Sequence, residues 1–284
     1  MIELDALRIV LRALTYVGSI AAAGGVVFAL SFPRAADTIR SDIERQIIVG
    51  CCLLLLVEPV RYIAFQLAIS SGDWSRAFAA DLRWMGMQTP MGQAAAIRWI
   101  AAAAILTFGL RQTAATTIAA VVLIGSFALE GHTASSEART ALGTSALFIH
   151  ITAVHWWLGA LYPLLVLTRA AKPTTLSNIV ETFGRRAIWV VAALLAGGVV
   201  VLALLTGARL DLASAYQRRF LLKISLVAML LSIAARNKLR LTPLLSGDPE
   251  AGRAKLRASI KAEILVGLSI VVTTAWALDS SPEG

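Results

Sequence analysis

Residues 143–168 read GTSALFIHITAVHWWLGALYPLLVLT, an apolar run that contains no Asp, Glu, Lys or Arg. A predominantly apolar run of about 18 residues or more is long enough to cross the hydrocarbon core of a bilayer as an α-helix. Apolar runs of comparable length recur along the chain, and we place eight of them near 7–31, 47–70, 91–110, 113–130, 143–168, 187–207, 219–236 and 260–278. The sequence therefore predicts an all-α polytopic membrane bundle of eight transmembrane helices, with residues 1–284 forming one integral membrane domain.

The composition of the whole chain supports this prediction. Of its 284 residues, 58% are hydrophobic and only 15% are charged, and the mean hydropathy is +0.75. A soluble domain of this length could not bury so much apolar surface in a single core. The net charge of +9 is not accompanied by a basic patch interleaved with aromatic residues, so we expect no nucleic-acid partner. The lipid bilayer is the partner that this composition predicts.

The distribution of lysine and arginine predicts the orientation of the bundle. The connections between helices 1 and 2, 3 and 4, 5 and 6, and 7 and 8 carry 15 of these residues. The opposite face carries 7, or 9 if Arg8 and Arg12 are included. Cytoplasmic loops of membrane proteins hold the excess of positive charge. We therefore expect both termini to lie outside.

Two connections have the sequence features of short or extended helices. Asp73 is a good N-cap for a short helix in the outer interface, whose apolar positions include Trp74, Phe78 and Met85. Asp248-Pro249-Glu250 is a good helix start, so helix 8 is expected to begin in the cytoplasm and run unbroken into the membrane.

The three histidines of the chain, His132, His150 and His155, lie within 24 consecutive residues. Histidine is costly to place in hydrocarbon and is the commonest metal ligand, so the cluster indicates a metal site. His132 is expected at the outer end of helix 4 and His150 about two turns inside helix 5, whereas His155 lies near the bilayer centre. Five residues separate His150 from His155, about 140° around a helix, so His132 with His150 is the easier pair of ligands. The alternative is that each histidine only hydrogen-bonds a neighbouring helix.

Three methionines, Met85, Met87 and Met91, lie within seven residues on the same predicted outer side as His132. Thioethers are soft ligands that suit Cu(I) and are poor ligands for Mg, Ca or Mn. We therefore predict that these methionines capture copper. The alternative is that they only face lipid at the interface.

Glu58 lies midway along predicted helix 2, where a charge costs at least about 2.5–3.5 kcal/mol on insertion scales. Arg61 lies three residues on, close enough to neutralise it. Cys51 and Cys52 lie about two turns from Glu58, toward the inner end, and thiolates are strong soft-metal ligands. Two interpretations stay open for these residues: a structural ion pair with ordinary buried cysteine, or waypoints of a cation path through the membrane.

Motifs for enzymatic chemistry are missing from the sequence. Ser-His-Asp spacing, a zinc-protease motif and a phosphate-binding glycine loop are all absent, so we expect no enzyme and no ATP-driven pump. Two other functions stay open. The first is a membrane redox protein that carries b-type haem between histidines on facing helices. The second is a non-transporting membrane partner of a periplasmic copper chaperone.

Four stretches resemble the copper resistance protein D (CopD) family of bacterial inner-membrane proteins. They are Thr89-Pro90-Met91-Gly92 followed by Arg98; Gly131-His132 followed by His150, Trp157 and Gly159; Phe220-Leu221-Leu222-Lys223 through Asn237-Lys238 to Thr242-Pro243; and Lys261-Ala262-Glu263 through Thr273-Thr274-Ala275-Trp276. The likeness covers most of the chain and is strongest after residue 89.

The resemblance implies eight helices and copper handling in the inner membrane, with copper taken up inward, often beside a small periplasmic copper-binding protein. His132 and His150 match family positions, whereas His155 and the paired cysteines match none. Lys223 and Glu263 match family charges and are expected to pair between helices 7 and 8. No cofactor beyond the copper ion is expected, unless the haem alternative holds.

Overall fold

The computed structural model describes residues 2–130, 140–206 and 215–278, and within these ranges every regular element is helical. The prediction of an all-α chain is therefore confirmed. In chain order the described helices are α1 (Ile2–Ser31), α2 (Pro33–Thr38), α3 (Arg40–Ile69), α4 (Trp74–Ala77), α5 (Ala80–Gln88), α6 (Pro90–Phe108), α7 (Thr113–Gly125), α8 (Ala141–Ala170), α9 (Pro173–Thr206), α10 (Ala215–Arg236), α11 (Thr242–Gly247) and α12 (Pro249–Ala277).

Seven stretches of the described chain are long and apolar enough to cross a membrane. They are residues 6–31, 40–69, 90–111, 141–170, 173–204, 218–247 and 249–277. The span predicted near 113–130 falls on α7 and the 3₁₀ turn Ser126–Leu129, which together form a shorter apolar helix. Every predicted span thus coincides with a helix, but the fourth is too short to qualify by length. Eight crossings and outside termini stay predictions.

Polar side chains determine where several long helices begin. Thr89 caps α6 by accepting a hydrogen bond from the Gly92 N–H at 3.1 Å, and Thr140 caps α8 in the same way through Gly143. The Asp248 carboxylate accepts from the Ala251 N–H at 3.1 Å and is followed by a proline at the first helical position. The predicted helix start at Asp248 is confirmed, and α12 runs unbroken from there to Ala277.

The connection after α3 differs from its prediction. Asp73 does cap a helix, since its carboxylate accepts from the Arg76 N–H and the Ser75 hydroxyl, and these bonds lower the pKa of Asp73. However, α4 ends after four residues, and Ala79 adopts an extended backbone before α5 begins. The single short helix predicted from the apolar spacing is therefore two helices, because the chain closes a tight turn at Phe78.

Close contact between helix backbones holds the centre of the bundle together. A Cβ built at Gly24 of α1 would lie 2.7 Å from the Gly159 Cα of α8, so the two helices touch through glycine. Gly50 of α3 meets α1 in the same manner. Small residues at a crossing let membrane helices approach and gain van der Waals contact. By contrast, only 11% of the most apolar stretch is buried in the span 173–204, which is formed by α9, and in the span 218–247, which contains most of α10. These helices therefore lie at the periphery.

Candidate functional site

The first of the three histidines, His132, lies outside the described residues, and its predicted role stays a prediction. His150 lies on α8, where its Nδ1 is 2.8 Å from the Leu194 carbonyl oxygen of α9. A carbonyl oxygen only accepts, so Nδ1 carries the proton and Nε2 carries the lone pair. Among the described residues no hydrogen bond reaches this Nε2 atom. A histidine with its second nitrogen fixed by a carbonyl is the usual form of a metal ligand.

His155 lies on the same helix but contacts a different neighbour. Its ring is 3% exposed, with Nδ1 2.8 Å from the Ile151 carbonyl oxygen and Nε2 3.2 Å from the Ser19 hydroxyl of α1. His150 contacts α9 while His155 contacts α1, as their angular separation on one helix requires. The two rings therefore do not share an ion. Within the described ranges no group of three His, Cys, Asp or Glu residues is arranged to hold a metal.

The predicted methionine ligands lie in the connection that leads into α6. Met85 and Met87 belong to α5 and are 61% and 38% exposed, and Met91 lies in the first turn of α6 and is partly buried. The two α5 methionines are accessible from the surface, as a capture site requires. This exposure equally fits side chains that face lipid at the interface.

Glu58 is the centre of a buried cluster of four charges. Its carboxylate lies 3.0 Å from Arg98 Nε and 3.6 Å from Arg61 Nη1. Glu130 completes the cluster, with an oxygen 2.7 Å from Arg98 Nη2 and a second contact to Arg61. The hydroxyl of Thr15 donates to Glu58 at 2.7 Å. Two carboxylates thus face two guanidinium groups, and we call Glu58, Arg61, Arg98 and Glu130 the charge quartet.

The charge quartet joins four segments and carries no net charge. It lies between α1, α3 and α6, and Glu130, which directly follows the 3₁₀ turn Ser126–Leu129, provides the fourth segment. Arg98 is fully buried and also stacks over the Phe127 ring at 5.0 Å. Removing one member of a buried, hydrogen-bonded ion network leaves an uncompensated charge. This geometry favours the structural interpretation of Glu58 and Arg61 over the cation path.

Sequence reasoning missed two members of the charge quartet, Arg98 and Glu130. Arg98 lies inside the predicted span 91–110, and a charge at that depth was a signal that it needs a buried partner. Glu130 directly follows the last apolar turn. It reaches Arg98, which lies eight residues into α6, or about 12 Å from the start of that helix. The short fourth helix therefore ends at the level of Arg98 and Arg61, where its terminal carboxylate is neutralised.

The two cysteines do not converge on a common site. Cys51 is fully buried in the apolar core, whereas Cys52 is exposed on the outside of α3. Adjacent residues of a helix point about 100° apart, so both thiols cannot face one path. Cys51 packs as a small hydrophobic residue, which is its commonest function when buried.

Glu263 forms a second buried acidic site, in α12. Its carboxylate accepts a hydrogen bond from the side-chain amide of Asn237, and the Trp157 indole lies beside it. Asn237 belongs to the π-helical turn Asn237–Leu241 that follows α10. The expected pairing of Lys223 with Glu263 is wrong, because the described ion pairs include none between them and Lys223 instead lies near His150. The two charges lie at different depths of antiparallel helices, Lys223 early in α10 and Glu263 midway along α12.

Comparison with protein families gives two matches that together cover most of the chain. The family model described as copper resistance protein D matches residues 177–277. The model described as copper resistance protein D-like, N-terminal domain, matches residues 1–142. Searches of curated proteins and of solved structures found no match.

Proposed function

Because the chain belongs to the copper resistance protein D family, we propose that it binds copper at the outer face of the inner membrane and moves it inward. Family membership and the apolar helices make it a copper-resistance-related, multi-pass membrane protein. Copper is here the transported substrate. A small periplasmic copper-binding protein is the partner that would deliver it.

The observation that carries this proposal is the state of His150. The Leu194 carbonyl fixes its Nδ1 proton, so Nε2 presents a lone pair about 14 Å from the start of α8. His132 would provide the second imidazole. Met85 and Met87 are exposed on α5 and would capture copper before the histidines bind it. His155 is bonded through both nitrogens, and we assign it a weaker role as a ligand.

Replacement of either proposed histidine tests this function. The variants His132→Ala and His150→Ala should lose copper uptake into sealed vesicles of known orientation, with and without a membrane potential, while their membrane abundance stays unchanged. Ser145→Ala, an exposed position on the same helix as His150, is the matched control and should transport normally. Unaffected copper uptake in a histidine variant would remove that residue from the site.

The same preparations separate the two alternative functions. A bis-histidine haem would need ligands on two helices, and within the described chain both histidines lie on α8, so this alternative also depends on His132. A Soret band that survives copper chelation would support haem and contradict copper transport. A protein that only docks a chaperone would bind its partner but accumulate no copper in vesicles.

A further inference from the structure

In the part of the chain that the structure describes, two acidic side chains are almost completely buried within the spans, and they differ in how they are neutralised. Glu58 is 1% exposed and contacts two guanidinium groups. Glu263 is 4% exposed, its hydrogen-bond donor is the Asn237 amide, and the Trp157 indole lies beside it; both groups are uncharged. Among the described residues no Lys or Arg nitrogen lies within 4.0 Å of its carboxylate. The charge of Glu263 is therefore not balanced by an ion pair.

Glu263 lies deep within the bundle. It is 14 residues beyond the start of α12, and Trp157 is 13 residues before the end of α8. Both residues therefore lie about 20 Å along their helices, measured from the start of α12 and from the end of α8. An ionised carboxylate without a cationic partner at this depth costs several kcal/mol. Such a group is stable when it carries a proton, because the neutral carboxyl needs only ordinary hydrogen bonds.

The side chains around Glu263 offer hydrogen-bond partners both to its carboxylate and to its protonated carboxyl group. The π-helical turn places Asn237 in the interior, where its Oδ1 atom is buried and has no hydrogen-bond partner among the described residues. A protonated Glu263 could donate to this oxygen after rotation of the amide, whereas the carboxylate accepts from the amide nitrogen. π-helical turns inside helices are frequent at functional sites.

The charged groups around Glu263 leave one cation close enough to act on it. Arg236 acts on the carboxyl from a distance and donates to the Ser259 hydroxyl at 2.9 Å. Other cations on elements packed against α12 bond groups away from Glu263: Arg12 and Arg219 bond the Ala275 and Trp276 carbonyls, and Arg253 bonds the Ala171 carbonyl. His155 bonds Ser19 and Lys223 lies near His150. On α12 itself, Lys261 is exposed, and Arg257, whose buried Nε has no hydrogen-bond partner among the described residues, lies six residues before Glu263. The segment α11 contains no charged residue.

We propose that Glu263 is an intramembrane proton-binding site, which takes up one proton to become a neutral carboxyl and releases it again as copper crosses. This coupling rests on the proposed copper transport, whereas proton binding itself does not. Each cycle of the carboxyl group binds and returns a single proton, with no other bond formed or broken.

The first experiment measures proton binding without transport. Infrared difference spectra of the purified protein in lipid, recorded across a pH titration, should show a protonated-carboxyl C=O band that disappears at high pH. That band should be missing from Glu263→Gln, which keeps the acceptor for Asn237 and should remain folded. Glu250→Gln, an exposed acid on the same helix, is the matched control and should keep the band. A wild-type protein without this band, or a Glu263→Gln protein that retains it, would overturn the proposal.

The second experiment measures coupling in proteoliposomes that contain a Cu(I) chelator and a pH-sensitive dye. Wild-type protein should move copper together with protons, and Glu263→Gln should reduce the copper-dependent pH change at least tenfold. An unchanged pH signal in Glu263→Gln would contradict the coupling. If wild-type protein moves no copper, copper transport itself fails, and the infrared titration still decides whether Glu263 binds a proton.

Discussion

The carboxylate of Glu58 is stabilised by three buried groups, one from its own helix and two from other helices. Thr15, Arg61 and Arg98 all reach it, and Arg98 has no exposed surface through which water could replace the lost partner. Buried ion networks of this kind contribute little over an apolar core, but they are costly to break from one side. At the scale of single residues, the charge quartet therefore adds little to the stability of the fold, but removing any one member should destabilise the protein strongly.

Glu58→Gln should destabilise the protein by about 3–5 kcal/mol, because one negative charge would then face two buried guanidinium groups. Thermal unfolding in detergent, followed by circular dichroism, measures the loss. Glu44→Gln is the matched control, since its pair with Arg40 is about half exposed and should contribute about 0–1 kcal/mol. A stable Glu58→Gln protein that transports copper poorly would instead support the cation path.

Lys223 is the charged residue that acts on His150, and its ammonium opposes a cation bound at that ring. Lys223→Met should therefore strengthen copper binding several-fold if His150 is a ligand, because the like-charge repulsion is removed while the length of the side chain is kept. Equilibrium competition against a Cu(I) chelator measures the change. Lys261→Met, an exposed charge on α12, serves as control. Identical affinities in wild type and Lys223→Met would argue against His150 as a ligand.

At the scale of helices, the crossing of α1 and α8 depends on two glycines that leave no room for a side chain. Gly159→Ala should destabilise the protein by about 1–3 kcal/mol, because the new methyl group meets the Gly24 backbone and forces the helices apart. Unfolding in detergent measures the effect. Gly125→Ala in α7 is the control: its Cβ would lie 3.8 Å from the Phe148 ring, an ordinary contact. Equal losses in the two variants would show that the crossing is not tight.

The short fourth helix is a second feature decided at this scale. Its apolar turns end at Leu129, and the Glu130 carboxylate that follows is neutralised by Arg61 and Arg98. The charge quartet thereby fixes the depth at which the chain leaves the helix. The segment that carries His132 begins one residue later.

At the scale of the whole molecule, the number of crossings follows from whether the fourth helix spans the membrane. In a protein that lacks Cys51 and Cys52, Ser75→Cys should react with an impermeant thiol reagent from the outside. Ser246→Cys should react only after the membrane is opened, because eight crossings place α4 and α11 on opposite faces. Both serines are exposed, and mass spectrometry measures the labelling. Labelling of both positions from the outside would mean that residues 113–129 do not cross.

The two halves of the chain are built differently. In the described part, α1, α3 and α8 form the centre of one apolar core, while α9 and α10 expose most of their apolar surface. The ion-paired acid Glu58 lies among the early helices, and the acid with neutral donors, Glu263, lies between α8, α12 and the π-helical turn. The ion-paired acid and the acid proposed to bind a proton thus lie in different regions of one bundle.

The helical spans could be predicted from the sequence because length and hydrophobicity alone decide whether a segment can cross a bilayer. The starts of α6 and α12 are also determined locally, because a capping side chain and the proline that follows it act within one helical turn. The histidine separation on α8 followed from helix geometry and agrees with the two different neighbours. These features depend on residues close together in the chain.

Tertiary structure alone decided the partners of the buried polar groups. Glu58 and Arg98 are 40 residues apart, and Asn237 and Glu263 are 26 apart. Local spacing suggested Arg61 for Glu58, and the family resemblance suggested Lys223 for Glu263. Helix packing added Arg98 to the first pair, together with Glu130 on the two arginines, and placed neutral groups rather than Lys223 beside Glu263. Hydrophobicity sets which segments enter the membrane, whereas the crossing and depth of each helix set which polar atoms meet inside it.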